Sequence, residues 1–268
     1  MNRACYVLLT VLLVCLGCEF NLRSKAGGAS SEAVSVDRYD RIQSLYLTTG
    51  DFSALQQMNT SYPMQTRTLI EDVLKIGRVN DPEINTKFLK FYQDTTLQAL
   101  INEVEQQYVT MDDVNKGLTE AFSRLKKEIP GLEYPEVYAQ IGALDQSIIV
   151  GNNTLGIGLD KYLGSDYPLY RQFYPESQRA LMTRAMIVPD CMVFYLLSLY
   201  PMPHDRQLSQ LECDLHMDVI LWVVNRITGK KTFNNRYVNA VDAYMKRHKE
   251  TTVVQLLELR DFSEFRVR

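Results

Sequence analysis

Between Tyr134 and Gly164 the chain reads YPEVYAQIGALDQSIIVGNNTLGIGLDKYLG, the one segment with concentrated strand character in a sequence otherwise patterned for helices. Short strands are predicted at Val137 to Ile141, Ser147 to Val150 and Leu155 to Leu159. Gly151-Asn152-Asn153 joins the last two, and these residue types tolerate the positive φ of a tight reversal. In the last strand Gly156 and Gly158 alternate with Leu155, Ile157 and Leu159, leaving one face apolar and the other bare backbone. A bare face admits a bulge, a closely packed element or a ligand. On the ligand reading the contact residues are Leu155, Gly156, Ile157 and Gly158, with Asp160 and Tyr162 just beyond, and an extended peptide adds along this edge. Asp145 and Asp160 flank the hairpin, as a carboxylate pair for acid–base work or as turn and cap residues.

The rest of the folded part reads as helices. Apolar residues recur at helical steps over Ser35 to Leu47, Thr66 to Ile76 and Thr110 to Leu125. Pro82 to Tyr108 is one long helix or two broken near Asp94-Thr95-Thr96, with Asp81-Pro82 as its start signal. CMVFYLLSLY, from Cys191 to Tyr200, is apolar all round, which predicts burial at the centre of the helical layer. A further helix lies in His204 to Arg226, and two more close the chain near Arg236 to Lys249 and Val253 to Leu259. The aromatic group Tyr162, Tyr167, Tyr170, Phe173 and Tyr174 either lines a groove or packs. These elements predict a single, predominantly helical α+β domain with a small glycine-rich hairpin or sheet packed on helices.

At the N-terminus Arg3 precedes an apolar run from Tyr6 to Leu16, too short to cross a bilayer and suited to a signal-peptide core. It ends in Leu16-Gly17-Cys18, which resembles a bacterial lipobox: Gly17 and Cys18 fit, while Cys15 and Leu16 depart from its usual residues. The resemblance implies lipidation at Cys18, with acyl chains such as palmitate holding the protein on a membrane surface. The other reading is an ordinary secretion signal. Residues 18–34, centred on SKAGGASS, have the composition of a tether, which divides the chain into a signal peptide (1–17), a tether (18–34) and a globular domain (35–268). Glu19 stands where inner-membrane retention would want Asp, and no acidic cluster of the surface-export kind follows. The expected address is therefore the outer membrane, facing the periplasm.

A net charge of −3, with no basic stripe along the chain, gives no footprint for nucleic acid. In the mature chain Cys191 and Cys213 remain, either bridged or as two thiols. No HExxH pair, Gly-x-Ser-x-Gly elbow, phosphate loop or dinucleotide fingerprint is present. His204, His216 and Asp218, with Asp214 one turn before Asp218, form the one conceivable metal set; helix-start polar residues are the alternative. No catalytic residue, metal or other cofactor is expected.

The segment LTEAFSRLKKEIPGLEYPEVYAQIGALDQSIIVGNNTLGIGLDKYLGSDYPLY resembles the gliding-motility lipoprotein GldB family of Bacteroidetes. The shared order is a helix ending in Pro, a Pro-Xaa-Val-Tyr strand, a glycine-rich hairpin, then Leu-Asp-Xaa-Tyr-Leu-Gly and Asp-Tyr, continuing through Arg184 and Ile187-Val188-Pro189. The resemblance implies a zincin-like scaffold related to zinc peptidases, with Asp190, Cys191 and Tyr195 where metal-binding histidines and a glutamate would stand. It thus implies a lipid-anchored, non-catalytic envelope protein that supports a motility or secretion machine or binds a protein or peptide partner at the hairpin edge. A structural envelope spacer and a metal-dependent peptidase or hydrolase with a non-standard site are the other readings.

Overall fold

The computed structural model describes residues 33–202 and 208–265. Cys18, the signal peptide, nearly all of the expected tether and His204 lie outside the described residues.

A four-stranded mixed sheet organises the domain, in the order β1 (Val36–Asp37), β2 (Glu136–Gln140), β4 (Thr154–Gly158), β3 (Ile148–Gly151). Strands β1, β2 and β4 run parallel and β3 is antiparallel to β4. The expected hairpin is therefore β3–β4, turning through Asn152 and Asn153, with Asn153 at φ 54°. The strand limits fall within one residue of those expected. Two features were not expected from the sequence: the β1 strand, and the parallel insertion of β4 between β2 and β3.

Strand alternation sorts the side chains. Tyr138 and Gln140 of β2 lie beside Gly156 and Gly158 of β4, while Val137 and Ala139 lie beside Leu155 and Ile157. Helix α1 (Tyr39–Thr49) covers the glycine face, with the ring of Tyr39 set edge-on to Tyr138 at 6.3 Å. The aliphatic face is equally buried. Helix α9 (Ile187–Leu199) contacts β3 and β4, and α6 (Asp112–Glu128) and α10 (Gln210–Thr228) pack with it. The result is a predominantly helical α+β fold with a small sheet between helices.

Several helices differ from expectation for local reasons. Asp94 accepts from Thr96 N and Leu97 N, so the long 82–108 segment divides into α4 (Ile84–Phe91) and α5 (Thr95–Gln107). Asp51 caps α2 (Phe52–Ser61), a helix whose weak periodicity gave no signal. The expected Thr66–Ile76 helix is α3 (Pro63–Arg67) running into a π-helical turn (Thr68–Val73). α10 starts at a Ser209–Glu212 capping box, later than expected. α9 is not buried all round: Phe194 is 39% and Leu199 43% exposed. Short α7 (Pro168–Phe173) and α8 (Glu176–Arg179) follow the sheet, and α11 (Arg236–Arg247) and α12 (Val253–Leu257) close the chain. Cys191 and Cys213 are free thiols.

Candidate functional site

The glycines of β4 show what the bare face accommodates. A Cβ on Gly156 would lie 2.6 Å from the Tyr138 ring, and one on Gly158 would lie 2.3 Å from the Gln146 carbonyl. Both spaces are filled from within, by an aromatic side chain and by a crossing backbone, so these glycines serve close packing. β4 is also hydrogen-bonded on both sides, by β2 and β3. The Leu155–Gly158 strand therefore has no free main-chain edge for a peptide to add to. Leu155, Gly156, Ile157, Gly158, Asp160 and Tyr162 are all buried.

Asp160 is a structural clamp. Its carboxylate accepts from Gly142 N at 2.8 Å and Leu144 N at 2.5 Å. Between them Ala143 and Leu144 both hold positive φ (52° and 65°), a conformation that L residues adopt only when their surroundings fix it. Burial pushes the Asp160 carboxyl upward, and these backbone amides work against that rise. The Tyr170 hydroxyl donates to the Asp160 carbonyl and in turn accepts from Leu163 N. Asp145 is exposed in the preceding turn, so the two aspartates do different jobs.

Tyr162 reaches α9. Its hydroxyl donates to Asp190 Oδ2 at 2.8 Å, and burial lifts the Asp190 carboxyl to about 6, with that hydrogen bond opposing. Burial, then the charge of Asp190, pushes the adjacent Cys191 thiol up, which makes it an inert core thiol. The Tyr195 hydroxyl points elsewhere, donating to the Glu133 carbonyl at 2.8 Å. The Tyr195 hydroxyl is thus engaged apart from the neighbouring Asp190 and Cys191.

The histidine set separates likewise. His216 Nε2 lies 3.0 Å from the Tyr200 carbonyl, and burial lowers its pKa. Asp218 accepts from Asn235 at 2.6 Å, joining α10 to the cap of α11. His248 stacks on Tyr244. Among the described residues no three His, Cys, Asp or Glu side chains are placed to hold a metal ion.

No strand pairs with the outer edge of β3. Gly158 N donates to the Ser147 carbonyl, so by antiparallel alternation Ile149 and Gly151 also face β4, while Ile148 and Val150 turn their main-chain groups outward. Of these two, Val150 is 38% exposed and Ile148 is buried. The opposite edge is closed: Val34 N donates to Thr119 Oγ1 and Val36 N to Asn115 Oδ1, both on α6. Sequence reasoning placed the open edge on the wrong strand of the hairpin. Hairpin spacing reveals two strands but not which of them a third, distant strand covers.

Fold and site together define a helical α+β protein with a mixed sheet that ends on one side in an antiparallel strand. The family described as gliding motility protein GldB matches residues 24–211, and the chain belongs to that family. No curated protein and no solved structure matches the chain. No helix among the described residues is long and apolar enough to cross a membrane.

Proposed function

We propose that this chain is a lipid-anchored, non-catalytic protein of the bacterial cell envelope that receives an extended segment of a partner protein along the outer edge of β3. Membership of the GldB family supports the envelope assignment and a role beside a motility or secretion machine. The lipid is carried on Cys18, and the outer membrane facing the periplasm is the address. The observation that carries the binding mode is the contrast between the edges: side chains of α6 stop one, and the other has no strand beside it and an exposed, outward-facing Val150. Strand addition takes its affinity from such groups. An antiparallel edge strand beside α9 also suits descent from a zinc-peptidase-like scaffold, with Asp190 and Cys191 replacing metal-binding residues.

A photo-crosslinking side chain at Asn152, next to this edge, tests the proposal in intact cells. It should trap an envelope protein, and the same label at the exposed Phe52 should not. Val150→Pro removes an outward donor without breaking the β3–β4 ladder, and is expected to abolish trapping while leaving the fold intact. Trapping that survives the proline, or none at Asn152, would reject the edge. Stoichiometric zinc in purified protein, lost with His216→Ala or Asp218→Ala, would favour a metallohydrolase instead.

A further inference from the structure

We infer that the domain rests its basic end, where α6 and α10 terminate, on the anionic headgroups of the membrane that holds Cys18; this depends on the lipid attachment proposed above. The two helices end side by side. Arg124 Nη1 donates to the Ile227 carbonyl at 2.9 Å, and Arg226 pairs with Glu128 at 2.8 Å. Arg124, Lys126 and Lys127 therefore gather with Arg226, Lys230 and Lys231, residues a hundred positions away in the chain. The nearby Glu120 and Glu128 are each engaged by an arginine. Lys127, Lys230 and Lys231 are exposed.

Cations at helix C-termini complement the helix dipole, and alone would signify no more than that. Two independent observations go further. First, Arg226, Lys230 and Lys231 wall a cleft of about 280 Å³ with Trp222, Asn225 and Asn239, which has the size and charge to admit a phosphate headgroup. Its one carboxylate, Asp242, is already bonded to Trp222 Nε1 at 3.2 Å and Lys246 at 2.6 Å.

Second, the N-terminal segment points this way. Arg38 donates to the Tyr108 carbonyl just before α6 begins, Val36 N to Asn115, and Val34 N to Thr119. Followed backwards, the chain climbs α6 from its first turn toward its last. Two extended residues, about 6.6 Å, keep pace with four helical ones, about 6 Å. Lys127 lies about 12 Å beyond Thr119 in the same direction. From Ala33 back to Cys18 the covalent chain can span at most about 50 Å. The described chain, followed back to Val34, therefore runs toward the basic end.

Trp222 is the sole tryptophan of the chain and stands in the cleft wall, so its energy transfer to a headgroup-dansylated lipid reports docking. The lipidated full-length protein is reconstituted in phosphatidylcholine vesicles, with or without phosphatidylglycerol. Transfer should rise with the anionic lipid, fall in high salt, and be lost in the Lys127→Glu, Lys230→Glu, Lys231→Glu variant. Each lysine removed should weaken docking about fivefold. Charge reversal at Lys87 and Lys90 of α4 should change nothing. Equal transfer in both vesicle types, or transfer unaffected by the triple variant, would overturn the docking. Displacement by millimolar inorganic phosphate would overturn it too, by assigning the cleft to a soluble phosphate ester. Failure to float on neutral vesicles would overturn the lipid attachment and the docking together, whereas flotation with unchanged transfer overturns only the docking.

Discussion

Gly158 and Gly156 differ in what a methyl group would strike. At Gly158 the obstacle is the Gln146 carbonyl, part of the main chain, which must move as a unit. At Gly156 it is the tip of the Tyr138 side chain, which has rotamers to use. Gly158→Ala should therefore cost about 3 kcal/mol and Gly156→Ala about 1 kcal/mol, the two ends of the overpacking range. Urea midpoints would show it, and equal losses would mean that the loop before β3 yields as easily as a side chain. Asp190 makes a pH argument at the same scale. Its carboxyl sits at about 6 in the folded chain against 3.8 as its ordinary value. The folded state thus keeps a proton that the unfolded state has lost, so stability falls as pH rises from about 4 to about 6 and is level above. The full effect is at most about 3 kcal/mol, and Asp190→Asn lacks it. Unfolding curves taken from pH 4 to 7.5 should show the variant gaining on the parent as pH rises; parallel curves would place that carboxyl in water.

Among the elements, α10 has a start that is fixed locally although it falls later than expected. Ser209 accepts from Glu212 N while the Glu212 carboxylate accepts from Ser209 N, a reciprocal pair set by four consecutive residues. Ser209→Ala should cost about 1 kcal/mol, seen as a lowered melting temperature, with the helix start fraying in hydrogen exchange. No loss would mean that packing against α6 and α9 alone fixes this helix. Asp94 and Asp51 are equally local caps, yet only the first was marked as one of two alternatives, because the apolar residues after Asp51 lack clear periodicity. The sheet was legible strand by strand but not as a sheet. Val36 and Val137 stand a hundred residues apart, and nothing local declares that they pair. The same non-locality hid the basic end, since a charge patch built from two helix termini is no stripe in sequence. The open edge was misplaced for that reason: β4 has the glycines, but β2 had already claimed its side.

For the whole molecule, the proposed attachment to a membrane is the property most easily separated from the fold. Cys18→Ser should release the protein into the soluble fraction of disrupted cells without changing the melting temperature of the domain, and retention in the membrane would show that Cys18 carries no lipid. The connection to that anchor has a mechanical side. Any pull on the N-terminus reaches the domain through Val34 and Val36, held by Thr119 and Asn115, and through the two paired residues of β1. This is a narrow suture, a few hydrogen bonds and two buried valines at the edge of a well-packed body. Under tension β1 would part from β2 while the β2–β4–β3 remainder stayed whole, giving the attachment a yield point of its own.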